Sequence, residues 1–145
     1  MLKHCLAGVV FIASAGASFA QMTPVGTWQT LDDKTKEAKS EVVITETAGV
    51  LSGKIVKLLR KEAKQDAVCD ECTDDRKGKP VLGMEIIRGV KKVDGKDVWE
   101  DGKVLDPENG KTYSAKLTPI EGGKKLEMRG SIGPFGRTQT WVRVQ

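Results

Sequence analysis

The sequence predicts an all-β protein built as a single eight-stranded antiparallel up-and-down barrel with one long Cys-containing loop. Three observations predict it. Eight short runs rich in Val, Ile, Leu and Thr follow one another, and most are bounded by Gly, Pro, Asn or Asp. The late runs alternate strictly: Tyr113, Ala115 and Leu117 interleave with Ser114, Lys116 and Thr118, while Leu126, Met128 and Gly130 interleave with Lys125, Glu127 and Arg129. Period two with one apolar face marks a half-buried antiparallel sheet. Finally, matching aromatic and cationic motifs bracket the series, Gly26-Thr27-Trp28 at its start and Trp141-Val142-Arg143 at its end. They suggest that the first and last strands meet. The up-and-down order favours a barrel over a sandwich, because closure removes exposed edges.

The elements follow in order. The first strand is expected over 25–31. The next two, over 41–47 and 50–58, are separated only by Ala48-Gly49. Residues 57–66 have helix-forming composition and are expected to make one or two helical turns. A polar stretch carrying Cys69 and Cys72 leads to strands over 80–88 and 97–105, joined by the tight hairpin signal Val93-Asp94-Gly95-Lys96. The sixth strand, over 111–120, follows Asp106-Pro107-Glu108-Asn109-Gly110. That segment sets Pro where φ is fixed and Asn-Gly where positive φ is needed. Leu105 to Thr112 ends like a phosphate-binding loop, but it lacks the first Gly and lies between strands, so it reads as a hairpin turn. Strands over 124–132 and 137–144 close the series, punctuated by Glu121-Gly122-Gly123 and Gly133-Pro134-Phe135-Gly136.

Upstream of the barrel, residues 1–20 read as a signal peptide and 21–145 as the folded domain. Lys3 and His4 form a short polar start, Leu6 to Ala13 an apolar core, and Ser18-Phe19-Ala20 a small-residue cleavage site. The apolar run is too short, and too rich in Gly and Ser, to span a membrane. Cys5 is too early in the segment to be a lipidated cysteine. The expected product is a soluble protein of the periplasm or the medium, about 125 residues long and large enough for one core.

Export changes the available chemistry. His4 is the one histidine, so the mature chain has none. That excludes a Ser-His-Asp triad, a Cys-His pair and every His-containing metal site. Net charge falls from +4 to about +3, with both signs interspersed. The aromatics are too few and too scattered to form a nucleic-acid stacking platform. No nucleic-acid partner, metal or cofactor is expected, and no carboxylate pair stands out as catalytic.

Two resemblances rest on these motifs. Gly26-Thr27-Trp28 on a first strand, with an Arg from the last strand laid over the Trp, resembles the lipocalin and calycin barrels. Arg143 is the natural candidate for that cation and Arg137 the other choice. A cation over an indole contributes on the order of 1 kcal/mol. Gly53-Lys54-Ile55-Val56, Asp106-Pro107-x-x-Gly110-Lys111-x-Tyr113, Leu126-x-Met128-Arg129-Gly130 and Gly136-Arg137-x-Gln139-x-Trp141-x-Arg143 follow in sequence. With Cys69-x-x-Cys72 and Lys79-Pro80-Val81-Leu82-Gly83, their order resembles the exported bacterial domain-of-unknown-function family 2147 (DUF2147). The resemblance implies a periplasmic, lipocalin-like barrel and supplies no catalytic residue.

Cys69-Asp70-Glu71-Cys72 admits three readings: a structural disulfide, a metal site, or a redox centre. The surrounding acids disfavour a thiolate, the ligand count disfavours zinc, and an oxidising compartment favours the disulfide. Gly26, Trp28, Trp141 and Arg143 are expected to close the barrel. The candidate ligand contacts are Glu85, Trp99, Tyr113, Met128 and Gln139, a few polar groups on otherwise apolar strands. Glu85 and Arg129 each have solvent-facing placement as the competing reading. The expected function is to bind a small, partly apolar or amphipathic molecule in the barrel, without catalysis. The alternative is an envelope interaction or stress-related protein with a filled barrel, acting through its surface loops.

Overall fold

The computed structural model describes residues 22–145, so the expected signal segment lies outside the described residues. Eight strands form a closed barrel in sequence order. They are β1 Gly26–Leu31, β2 Ala38–Thr47, β3 Val50–Leu58, β4 Glu85–Lys92, β5 Trp99–Asp106, β6 Lys111–Ile120, β7 Lys125–Ile132 and β8 Phe135–Arg143. Every neighbouring pair is antiparallel. The turns 48–49, 93–98 and 121–124 therefore lie at one end. The long loop 59–84 lies at the other, with the turns 32–37, 107–110 and 133–134.

Residues directly opposite one another in an antiparallel ladder point to the same face. Register thus carries the inward face around the barrel, through Trp28↔Val42, Val42↔Ile55, Val104↔Tyr113, Leu117↔Met128 and Met128↔Gln139. At the short-turn end these positions are large. Trp28, Ile44, Leu51, Val90, Leu117 and Leu126 are fully buried, and Trp99 nearly so. Each contributes roughly 1.5–3 kcal/mol on burial, which makes this half of the interior a solid core. At the other end the inward positions shrink to Thr30, Ser40 and Gly130, and the interior opens.

The second strand, expected over 41–47, begins earlier at Ala38, and the eighth, expected over 137–144, takes in Phe135 and Gly136 of the expected turn; two elements differ more. The fourth strand was expected over 80–88 but runs Glu85–Lys92. Residues 81–84 belong to the loop. Val81 and Gly83 donate their N–H groups to Ala67 and Ile55, and Pro80 makes only an isolated bridge to Val68. Gly89, at φ 73, bends β4 so that pairing continues to Lys92. The helical turns expected over 57–66 do not form. Residues 57 and 58 extend β3, and Leu59 still donates to Lys39 across the β2 edge. Only isolated turns follow, Ala63 to Arg60 and Ala67 to Lys64, because Arg60 is drawn away to acids on other loops. Among the described residues the one helical element is the 3-10 turn Glu121–Gly123.

Candidate functional site

The barrel is closed at the short-turn end by the residues that bracket it. Trp28 and Arg143 are direct partners across the β1–β8 ladder, and the guanidinium lies 4.2 Å from the indole centroid. The guanidinium donates from Nε to Gly123 O at 2.6 Å, from Nη1 to Val25 O at 2.9 Å and from Nη2 to Thr23 O at 2.6 Å. Burial lowers its pKa, and the carbonyl fork compensates by fixing the charged form in place. The Trp28 indole N–H donates to Pro24 O at 2.7 Å. Gly26 makes room for this arrangement. Its φ is 143, and a Cβ there would run into the Arg143 guanidinium. Arg143, and not Arg137, therefore covers the indole.

At the open end the interior forms a cavity of about 880 Å³, within the range of small-molecule sites. Ile55, Leu58, Val81, Ile86, Val104, Met128 and Trp141 supply its apolar walls. Its space comes from small inward residues. Gly130 stands between Tyr113 and Arg137, and a Cβ there would lie 3.3 Å from that of Tyr113. Thr30 and Ser40 pair hydroxyl to hydroxyl at 2.6 Å, so neither buried group is left unpaired.

The long loop forms one wall and is pinned at several points. Cys69 and Cys72 form a disulfide with both sulfurs fully buried. The loop abuts the β5–β6 turn so closely that a Cβ on Gly110, at φ 69, would strike the Glu71 carbonyl. Arg76 is buried, pairs with Asp74 at 2.5 Å and donates to Glu85 O at 2.9 Å. Arg88 forks onto Asp75 at 3.0 and 2.9 Å and holds Glu85 at 2.5 Å. The Arg76 side chain, with its backbone N–H, holds the Asp74 carboxyl down to about 2. Hydrogen bonds from Arg88 lower that of Asp75 and raise that of Arg88 in return.

Adjacent acids on the β1–β2 turn reach across the mouth in opposite directions. Asp32 pairs with Arg60 of the long loop. Its carboxyl is held down to about 2, first by the backbone N–H groups of Thr35 and Lys34 and then by Arg60. Arg60 also meets Glu108 at 3.3 Å, and Glu108 meets Lys39 at 3.1 Å. Asp33 turns the other way, to Arg137 at 3.0 Å and Gln139 at 3.4 Å on β8.

Of the expected ligand contacts, Tyr113, Met128 and Gln139 line this cavity. Glu85 and Trp99 do not. Glu85 faces the loop and is occupied by Arg88. Trp99 is part of the packed core, paired with Leu117, with Lys92 Nζ 5.6 Å from its ring centroid. Trp141, expected at the closure, lines the cavity and donates from its indole to Gln139 Oε1 at 3.2 Å. Arg129 is exposed and donates to Thr138. Asp33, Arg60, Gly130 and the inward placement of Arg137 were missed. For Arg137 the signal was present, since it shares strand parity with Gln139 and Trp141.

A family model described as "Uncharacterized protein conserved in bacteria (DUF2147)" matches residues 26–143. Among solved structures, the chain is similar to protein HP1028 from Helicobacter pylori, described as belonging to the lipocalin family. The TM-score is 0.68 at 23% identity, covering 83% of this chain and 82% of that one. At that identity the likeness shows the fold, a lipocalin-like barrel. No curated protein matches the chain.

Proposed function

The chain belongs to the DUF2147 family of bacterial proteins, and from that premise we propose that it is an exported, non-catalytic carrier that holds one small, partly apolar molecule in the open half of its barrel. The observation that carries this reading is the contrast between the two halves of one interior. Large side chains fill the end at Trp28, while Thr30, Ser40 and Gly130 leave about 880 Å³ at the other. Filling those positions would bury more apolar surface and stabilise the fold, so the space is better explained by an occupant. Tyr113, Met128, Gln139 and Trp141 are the residues we assign to contact it, and Gly26, Trp28 and Arg143 close the far end.

The domain division at Ala20 and a periplasmic or secreted location are part of the same proposal. They are supported by the charged start, apolar core and small-residue site of residues 1–20. No helix among the described residues is long and apolar enough to cross a membrane. The alternative, a protein that acts only through its loops, requires a filled barrel and is disfavoured by the cavity. Native mass spectrometry of the protein isolated from its own envelope fraction tests the reading. We expect a discrete adduct that is lost on denaturation. Isolation only as bare polypeptide would count against it.

A further inference from the structure

We propose that Arg137 and Gln139 form the head-group site for an anionic amphiphile, and that Asp33 occupies this site until the ligand displaces it. The inference rests on the carrier reading and names the ligand's chemistry. Arg137, Gln139 and Trp141 lie on the inward face of β8 and all line the cavity. The Arg137 guanidinium and the Gln139 amide N–H converge on a single oxygen, Oδ2 of Asp33, at 3.0 and 3.4 Å. A cation and a neutral donor aimed at one point above an apolar chamber are the donor set for a carboxylate or a phosphate monoester. In this structure a carboxylate of the chain itself fills that point.

Three further features make Asp33 a displaceable occupant. The β1–β8 ladder pairs only Trp28 with Arg143 and Gln29 with Val142, so it stops short of the mouth. Beyond it, the bonds from Asp33 to Arg137 and Gln139 bridge the seam. The bridge is also weak. The Arg137 side chain is 70% exposed, and exposed ion pairs contribute little, so a ligand anion loses little in replacing Asp33. Two other cations that line the cavity already have carboxylate partners outside this point. Arg60 is shared by Asp32 and Glu108, and Lys39 also meets Glu108. Lastly, among the described residues Phe135, Ile132 and Val68 are exposed large apolar side chains, and all three line the same cavity. They give an apolar tail a surface to follow inward, past the seam.

The test is calorimetric titration at pH 7, below micelle formation, with four probes sharing one alkyl chain: dodecanoate, dodecyl phosphate, dodecanol and dodecyltrimethylammonium. We expect at least one anion to bind about fivefold or more tighter than the alcohol, and the cation to bind weakest. Whichever anion binds tighter identifies the head group. Arg137→Gln should abolish that preference, bringing the anion to within about twofold of dodecanol in the same variant. Asp33→Asn should tighten anion binding severalfold, because the competing carboxylate is gone. Equal affinity for anion and alcohol, or anion binding indifferent to both substitutions, would overturn this inference and leave the carrier reading standing. Failure of the wild-type protein to bind any of the four would overturn both.

Discussion

Arg143 and Arg137 lie on the same strand and the same inward face, yet they should differ sharply when truncated. Arg143→Met retains an aliphatic stem over Trp28 but removes the cation and its hydrogen bonds. A partly desolvated cation–π contact contributes about 1–2 kcal/mol. Each charge-assisted hydrogen bond contributes about 1.5 kcal/mol or more, and the carbonyls of Thr23, Val25 and Gly123 are left without this donor. These terms overlap and water reaches part of the site, so we expect a loss of about 3 kcal/mol. For a domain of this size that corresponds to a drop in Tm of roughly 10–15 °C. Arg137→Met breaks only an exposed ion pair and should cost below about 1 kcal/mol. Urea unfolding followed by tryptophan fluorescence measures both variants, with an unchanged slope expected for each. If the two variants lost equal stability, or Arg143→Met lay within about 1 kcal/mol of wild type, the guanidinium would not be what closes the barrel.

Three further outcomes concern the long loop. Replacing Cys69 and Cys72 with Ser should cost about 2 kcal/mol, the entropic worth of so short a closed loop, and should be read by the same urea titration. Gly110→Ala should undock the loop from the β5–β6 turn, because the new methyl meets the Glu71 carbonyl and φ is positive. Faster amide exchange over 66–80, with the barrel strands unchanged, is the expected signature. Acid should release the loop late. The folded-state pKa values of Asp32 and Asp74 are depressed to about 2, so their contribution is fully present above the unfolded value near 4 and is lost as pH falls through 2. Proteolysis of the loop by pepsin, normalised at each pH to an unfolded substrate, should therefore be slow at pH 5 and rise progressively from about pH 4 towards pH 2, with Asp32→Asn abolishing part of that dependence.

The barrel could be read from the chain because its signals are local. Alternation in 111–120 and 124–132, and turn residues such as Asp94-Gly95 and Asn109-Gly110, fix strand and hairpin positions within a few residues. The pairing of Trp28 with Arg143 was readable because both lie at ends of a closed series. The fourth strand was misplaced because residues 80–84 have strand composition, whereas their backbone groups are spent on loop contacts with Ala67 and Ile55. Composition likewise suggested a helix over 57–66, and the distant partners of Arg60 overrode it. The site was harder to read for the same reason. Whether Glu85 or Tyr113 faces the cavity depends on one residue of register, and the irregularity between Gly53↔Ile87 and Lys54↔Glu85 places Glu85 beside the exposed Lys54, away from the cavity. Asp33 carries no local signal. Its importance comes from the turn that carries it across an unpaired seam to β8.

The proposed seat of the ligand is the open half of the barrel. Gly130→Leu tests this directly, because its side chain would project between Tyr113, Val104 and Arg137 into the cavity without touching the packed core at Trp28. Titration of wild type and variant with the tightest-binding dodecyl probe, alongside urea unfolding of both, is the decisive measurement. We expect saturable one-to-one binding to the wild type, and at least a tenfold loss in a variant that still unfolds cooperatively. Undiminished binding to folded Gly130→Leu would place the ligand outside the barrel and contradict the account.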